Sequence, residues 1–223
     1  MKKKIFDFSN TYINLPNIFF QKIHPKKLNN PKLLELNTKL AETFGLKLNK
    51  DDKLLSEVFS GNVLPEGSEP LAMVYAGHQF GNFVSELGDG RAILLGEIFN
   101  KKREKFDLQL KGSGVTKFSR NGDGRAPLGP VIREYLVSEA IHYLGIPTTR
   151  SLAVTQSDDL IQREKSFPCG VLTRIASSHI RIGTFEYFSY RKDIDSLKKL
   201  ADYTINRHFS NLNESKDKYQ KLL

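Results

Sequence analysis

Residues 86–150 decide the fold of this chain, and they read ELGDGRAILLGEIFNKKREKFDLQLKGSGVTKFSRNGDGRAPLGPVIREYLVSEAIHYLGIPTTR. In order, it holds a glycine turn between two apolar runs, a lysine that ends a third run, and a helical pattern that carries a glutamate. Short alternating apolar runs predict strands, whereas the later period of about 3.6 predicts a helix. The chain is therefore expected to be an α+β protein with an antiparallel sheet and a helix at its centre.

The first part of this stretch predicts a hairpin with a glycine-rich tip. Phe83–Leu87 has the composition of a strand, Gly88-Asp89-Gly90 that of a turn, and Arg91–Ile98 that of the returning strand. Backbone N–H groups of such a turn can bind phosphate oxygens, and Arg91 can add a forked donor. A tight hairpin with an exposed arginine is the other interpretation, and a short glycine motif alone does not decide between them.

A lysine and a glutamate follow in an order that is typical of kinase-like small lobes. Phe106–Lys111 alternates as a strand that ends at Lys111, and Pro130–Leu144 predicts a helix that carries Glu134. Kinase folds hold a strand lysine and a helix glutamate as an ion pair. Two unrelated surface charges are equally compatible with the spacing, and Glu139 is a competing acid on the same helix.

The flanking segments predict further helices and strands. A helix from Pro31 to Phe44 with Asn30 as its cap, and a second from Asp51 or Asp52 to Phe59, would form an N-terminal helical extension. A hairpin is expected around Asp158 and Asp159. The helix that carries Glu134 is expected to pack through one shared face, made of Ile132, Tyr135, Leu136, Ala140 and Tyr143.

Composition limits the classes of function. The chain has 223 residues, a formal net charge of +9 and one cysteine, Cys169. One cysteine excludes an intrachain disulfide, and the five histidines show no metal-binding spacing. Locally clustered lysines indicate a solvated surface rather than a nucleic-acid footprint. No apolar run is long enough for a membrane span or a signal core, so we expect a cytoplasmic protein that binds neither nucleic acid nor membrane.

Two common nucleotide-binding motifs do not match. GSGVTKFS lacks the Gly-Lys-Ser/Thr order of a Walker A loop. GDGRAI leads into a second apolar run of strand character, whereas a dinucleotide-binding fingerprint opens a helix. Neither a P-loop ATPase nor a dinucleotide oxidoreductase is favoured.

Four segments together resemble one known family. The chain resembles the selenoprotein O family, also called the YdiU family, in the segments YAGHQFGNF, ELGDGRAILLGE, LQLKGSGVTKFSRNGDGRAPLGPVIREYLVSEAIHYLGIPTTRSLAV and GVLTRIASSHIRIGTFEYF. The resemblance covers about residues 72–190 and is far more specific than a single glycine motif. It implies a pseudokinase fold: a kinase-like small lobe over residues 71–177, after an N-terminal helical extension over 1–70 and before the start of a helical large lobe over 178–223.

The resemblance also implies an activity and a set of ATP-binding residues. The family transfers AMP, or UMP, from ATP or UTP to Ser, Thr or Tyr hydroxyls of protein substrates, with the nucleotide inverted so that its γ-phosphate is buried. The positions that match the family's ATP-binding residues are Gly88, Gly90, Arg91, Lys111, Asp123, Gly124, Arg174 and Arg181. Glu134 matches the ion-pair partner of Lys111, and the two last arginines match the pair that holds the inverted phosphates.

The family's catalytic base and metal ligands have no counterpart in this sequence. Its catalytic Asp, and the Asn and Asp that bind Mg²⁺ or Mn²⁺, are expected downstream of Leu223, so this chain resembles an N-terminal portion that is inactive alone. Two other hypotheses stay open. One is a catalytically silent ATP-binding or interaction module, and the other is a nucleic-acid binder, whose affinity would fall steeply with salt.

Overall fold

The computed structural model describes residues 5–223, which divide into two compact units. One unit combines the chain up to Met73 with Asp89–His179, and the other combines Val74–Gly88 with Ile180–Leu223. The strands of the described chain are β1 (Phe20–Lys22), β2 (Lys32–Leu36), β3 (Leu71–Met73), β4 (Gly77–Gln79), β5 (Asn82–Val84), β6 (Ala92–Phe99), β7 (Lys105–Lys111), β8 (Ala126–Pro127), β9 (Arg150–Gln162) and β10 (Ser166–Ala176). The helices are α1 (Thr38–Thr43), α2 (Lys53–Ser60), α3 (Leu128–Tyr143), α4 (Ile182–Tyr190), α5 (Ile194–His208) and α6 (Lys218–Leu222).

The first unit is built on an eight-stranded sheet whose described pairs are all antiparallel. Its order is β1-β3-β6-β7-β10-β9-β2, and β8 pairs with β10. On one face α1 and α2 close a large apolar core that includes Leu108 and Leu110. On the other face α3 packs through Val131 onto Val154 and Leu172. A mixed protein with an antiparallel sheet was predicted, and that coarse assignment is confirmed.

The predicted N-terminal helix is half wrong. Lys32–Leu36 is a strand that pairs with β9, and the helix begins only after Asn37, whose side chain accepts a hydrogen bond from the Leu40 N–H at 3.0 Å. Leucines in this segment fit a helical period, but an open sheet edge offers the same residues backbone partners and a buried face. The second predicted helix is confirmed as α2, with Asp52 as its cap and Gly61 in the left-handed region at its end.

The predicted glycine-tipped hairpin does not form. β5 pairs with β4 through a two-residue turn at Phe80 and Gly81, both with positive φ, while β6 pairs with β3 and β7. A turn with two positive φ values matches the twist of a hairpin, so the segment before β5 supplies its partner. Gly88-Asp89-Gly90 is a connection between the two units instead.

The predicted hairpin around Asp158 and Asp159 is also wrong. β9 continues through both residues, and the turn to β10 lies at residues 163–165. Both carboxylates bind the N-terminal segment: Asp159 accepts from the Asn29 N–H at 2.9 Å, and Asp158 accepts from the Asn30 Nδ2 at 2.7 Å. Residues distant in the sequence supply hydrogen-bond donors to both carboxylates, so these acids do not need to form a turn with their own backbone.

Of the predicted packing face of α3, Tyr135 packs against the cluster of Val131, Val154 and Leu172, but most of the prediction is wrong. Leu136 is 61% exposed and Tyr143 67% exposed, whereas Val131 and the acidic Glu139 are buried. Glu139 accepts hydrogen bonds from Arg150 at 2.9 and 2.7 Å and from the Ser151 N–H at 2.9 Å. A carboxylate with this many donors can face the sheet, which turns the apolar residues outward.

The second unit is mainly helical. The β4–β5 hairpin accompanies α4, α5 and α6, and the Ala76 N–H donates to the Gly183 carbonyl at 2.7 Å. The residues after Arg181 form the helices α4 and α5. Among residues 5–223, no helix combines the length and the apolar composition that crossing a bilayer requires.

Candidate nucleotide-binding site

The candidate site is assembled on the polar face of β7. Because side chains alternate along a strand, Leu108 and Leu110 enter the apolar core while Gln109 and Lys111 point to the opposite side. That opposite side is the one on which α3 lies, since Lys111 contacts Glu134 of that helix. One face of β7 therefore contributes to the apolar core of the first unit, and the other face contributes to the candidate site.

Lys111 and Glu134 form an ion pair. Lys111 Nζ lies 2.5 Å from Glu134 Oε2, and both side chains are partly buried. Glu134 Oε1 also accepts from Arg174 Nη1 at 3.3 Å, and the Arg174 side chain is only 11% exposed. One carboxylate thus binds two cations, and Arg174 joins the pair from the neighbouring strand β10.

This cluster combines the positive charges of Lys111 and Arg174 with the single negative charge of Glu134. Burial, the positive charge of Arg174 and that of Arg91 lower the pKa of Lys111, and they outweigh the opposing effect of Glu134. Burial would raise the pKa of Glu134, but the hydrogen bonds and charges of Lys111 and Arg174 prevail and lower it. The two directions agree, because two cations, Lys111 and Arg174, share a single carboxylate. Positive charge in excess of its local partner favours an incoming anion.

The connection that holds Gly90 and Arg91 is fixed by hydroxyl groups. Thr116 Oγ1 donates to the Asp89 carbonyl at 2.7 Å, and Ser119 Oγ donates to the Gly90 carbonyl at 2.5 Å. A Cβ at Gly90 would lie 2.7 Å from the Phe118 carbonyl oxygen, so the close packing requires glycine. Arg91 is the next residue, and its side chain is exposed. Its positive charge contributes to the lowered pKa of Lys111.

Asp123 and Gly124 lie in the loop before β8, where their contacts are with the loop and its neighbours. Asp123 accepts from Arg163 Nη1 and Nη2 at 2.7 and 2.8 Å and from the Arg125 N–H at 2.9 Å. These hydrogen bonds, the one from Arg163 above all, lower the pKa of Asp123. The structure therefore pairs this carboxylate with Arg163 rather than with the cluster around Lys111.

Gly88 and Arg181 belong to the second unit. Gly88 has a φ of 55° and its N–H donates to the Tyr75 carbonyl at 3.0 Å. The Arg181 guanidinium lies 4.2 Å from the centre of the Tyr75 ring, and its backbone N–H donates to Thr184 Oγ1 at 3.1 Å. Stacking on Tyr75 gives this arginine a defined place at the start of α4.

Sequence reasoning missed two residues of the first unit, Gln109 and Asp89. Gln109 Oε1 accepts from Arg174 Nη2, and Gln109 Nε2 donates to Asp89 Oδ2 at 3.1 Å. The signal was available, because Gln109 stands between the two buried leucines and must share the face of Lys111. Asp89 was read only as part of a turn.

Arg174 and Glu134 also line a cleft between α3 and the segment that leads into β9. Its other lining residues include Ser138, Thr149 and Ser151, and its volume is about 240 Å³. Among residues 5–223, no three His, Cys, Asp or Glu side chains come together as a metal site.

Comparison with known proteins assigns the family. The sequence model described as "Protein adenylyltransferase SelO" matches residues 3–223, and the chain belongs to this family. It is 54% identical over 219 residues to the "Protein nucleotidyltransferase YdiU" of Maridesulfovibrio salexigens, a match that covers 98% of this chain and 44% of the relative. Proteins of the same name from Alkalilimnicola ehrlichii and Agrobacterium fabrum are 54% and 53% identical, over 93% and 97% of this chain and 42% and 45% of theirs. The chain thus spans less than half the length of these relatives.

Proposed function

We propose that this chain is the nucleotide-binding part of a protein adenylyltransferase with a kinase-like small lobe. The enzyme would transfer AMP or UMP from ATP or UTP to Ser, Thr or Tyr hydroxyls of proteins. Membership of the SelO family and the names of the relatives support nucleotidyl transfer. The kinase-like fold, the hydroxyl acceptors and the nucleotide orientation are the finer parts of the proposal.

The cluster of Lys111, Arg174 and Glu134 is the observation that carries this proposal. A triphosphate needs several fixed cations, and a flexible lysine binds it well only when a partner holds the ammonium group in place. Glu134 holds Lys111 at 2.5 Å, and Arg174 brings a second, largely buried cation to the same carboxylate. Gly90 and Arg91 would add backbone and guanidinium donors to the same phosphates.

Burial of Arg174 favours the inverted orientation of the nucleotide. In this orientation the terminal phosphates lie deepest and the α-phosphorus faces the acceptor. A bond would form between the acceptor oxygen and the α-phosphorus, the bond to the β-phosphate would break, and pyrophosphate would leave. Arg174 and Lys111 would stabilise the charge that develops on the leaving group. Asp123, Gly124, Gly88 and Arg181 stay proposed ATP-binding residues.

Mg²⁺ or Mn²⁺ is the proposed cofactor of the enzyme. Among residues 5–223, no three His, Cys, Asp or Glu side chains come together as a metal site, and no step here is routed through the metal. We propose that the metal ligands and the base that accepts the hydroxyl proton come from other residues of the enzyme. The residues of this chain would bind and orient the triphosphate.

Two labelled nucleotides given in parallel test the proposal. The protein that carries this chain is incubated with α-labelled or γ-labelled ATP, and label on protein is measured. Label from the α position alone supports nucleotidyl transfer. Label from the γ position alone would show phosphotransfer and refute it.

A catalytically silent ATP-binding or interaction module remains the rival for this chain. The rival predicts that the 223-residue chain binds ATP but transfers no label from α-labelled ATP to protein. Transfer by the 223-residue chain would defeat the rival.

A further inference from the structure

Gln109 is a fully buried amide in the middle of β7. It has 0% exposure, and both ends of its amide are used. Its Oε1 accepts from Arg174 Nη2, while its Nε2 donates to Asp89 Oδ2 at 3.1 Å. A buried glutamine that spends both ends on charged partners links those partners rigidly.

Asp89 is the anchor of this link. The residue is 1% exposed, and Oδ2 also accepts from the Met73 N–H at 3.1 Å. Its own carbonyl accepts from Thr116 Oγ1 at 2.7 Å. Asp89 is therefore held by β3 and by the loop after β7, and it lies immediately before Gly90 and Arg91.

An amide suits this position better than a carboxylate. A glutamate at 109 would neutralise Arg174 and would place its own charge against Asp89. An amide holds the guanidinium through its oxygen and leaves the positive charge available to a ligand. The amide NH₂ group meanwhile satisfies the Asp89 carboxylate, which a second acid could not do without a proton.

We propose that Gln109 is a positioning residue that fixes Arg174 for the terminal phosphates of a nucleoside triphosphate and, through Asp89, couples it to the Gly90-Arg91 turn. This inference rests on the proposed function. Gln109 acts through Arg174 and does not itself touch the nucleotide. Its loss should therefore weaken the binding of nucleotides with terminal phosphates and spare that of AMP.

Gln109→Met and Gln109→Glu test the proposal in the 223-residue chain. ATP and AMP affinities are measured by calorimetry, and the order of the Arg174 Nε–Hε group is measured by ¹⁵N relaxation, with Arg174→Lys used to assign its signal. Gln109→Met should weaken ATP binding by about 10-fold or more and make Arg174 mobile. Gln109→Glu should keep Arg174 ordered yet still weaken ATP binding, because the charge is neutralised. If Gln109 had only a structural role, Gln109→Glu would not weaken ATP binding while Arg174 stays ordered.

Thr155→Val is the matched control. Thr155 is buried on β9, and its hydroxyl has no hydrogen-bond partner within the described residues, so the substitution removes a polar group outside the network. It should leave both readouts within twofold of the unsubstituted chain.

The outcomes separate this inference from the proposed function. If the unsubstituted chain does not bind ATP, its proposed nucleotide-binding role fails, and Arg174 mobility in Gln109→Met still decides whether Gln109 positions it. An Arg174 that stays ordered in Gln109→Met overturns the inference. In a chain that binds ATP, affinity within twofold in both Gln109 variants overturns it equally.

Discussion

Lys111 Nζ lies 2.5 Å from Glu134 Oε2, although the two residues are 23 positions apart and belong to a strand and a helix. Arg174 reaches the other oxygen of the same carboxylate at 3.3 Å. The ammonium group is therefore attracted by Glu134 and repelled by Arg174. Its proton affinity should respond in opposite directions when these two neighbours are removed.

Glu134→Gln should lower the pKa of Lys111 further, and Arg174→Met should raise it. Glu134 stabilises the charged lysine through a hydrogen bond and its charge, whereas Arg174 destabilises it. The measurement is an NMR titration of the Lys111 side chain, with Lys111→Arg used to assign the signal. Shifts in the same direction for both variants would contradict the assigned balance of charges.

ATP affinity should fall as pH rises through the lowered pKa of Lys111, in a range below the ordinary lysine value of 10.5. A phosphate group binds the protonated ammonium, so deprotonation removes an attractive charge. Lys111→Arg keeps its charge over the whole range and should bind ATP with little pH dependence there. Calorimetry from pH 7 to about 10 compares the two chains. Equal pH dependence in both would rule out Lys111 as its source.

Glu139→Gln should lower the free energy of unfolding at neutral pH by about 2–4 kcal/mol, because it leaves Arg150 without its buried partner. Arg150, the Ser151 N–H and Asn37 together outweigh burial and lower the pKa of Glu139 below 4.5. The stabilisation is therefore present above the unfolded value and is lost as pH falls through the folded one. Urea unfolding measures the effect.

Glu134→Gln is the comparison for Glu139→Gln. Because Glu134 is more exposed, its replacement should lower the free energy of unfolding by less, about 1 kcal/mol. If Glu134→Gln lowered the free energy of unfolding more than Glu139→Gln does, the cluster around Lys111 would contribute more to stability than the buried pair of Glu139 and Arg150.

Gly124→Ala should destabilise the chain by more than about 1 kcal/mol. Gly124 has a φ of 67°, and a Cβ there would approach the Gly114 carbonyl closer than 3.0 Å. Gly129→Ala is the control, because Gly129 is exposed in α3, a Cβ there would meet no atom within 4 Å, and alanine should therefore add stability. Thermal unfolding compares the two, and equal effects would show that the packing at Gly124 is not required.

Local patterns predicted the elements that carry their own signals. Asp52 begins α2 as expected, and β7 ends at Lys111 as the alternation of Phe106–Lys111 predicts. Both follow from short-range chemistry: a side chain caps the next turn, and neighbours on a strand face opposite ways. The order of strand, lysine, helix and glutamate also pointed to the ion pair that the structure contains.

Patterns failed where a distant partner changed the outcome. Leu33 and Leu36 fit a helix, but pairing with β9 makes a strand. Leu136 fits a buried face, but the hydrogen bonds of Glu139 turn α3 the other way. A carboxylate with several donors is not visible in a hydrophobic period, because its donors come from other parts of the chain.

By itself, the sequence determined the family, the central strand and helix, and the residue types that the candidate site requires. Only the tertiary structure decided that Arg174 shares a carboxylate with Lys111, that Gln109 links Arg174 to Asp89, and that Asp123 binds Arg163. The physical reason is range. Caps and alternation act within a few residues, whereas ion pairs and buried hydrogen bonds join groups that only the assembled sheet brings within about 3 Å.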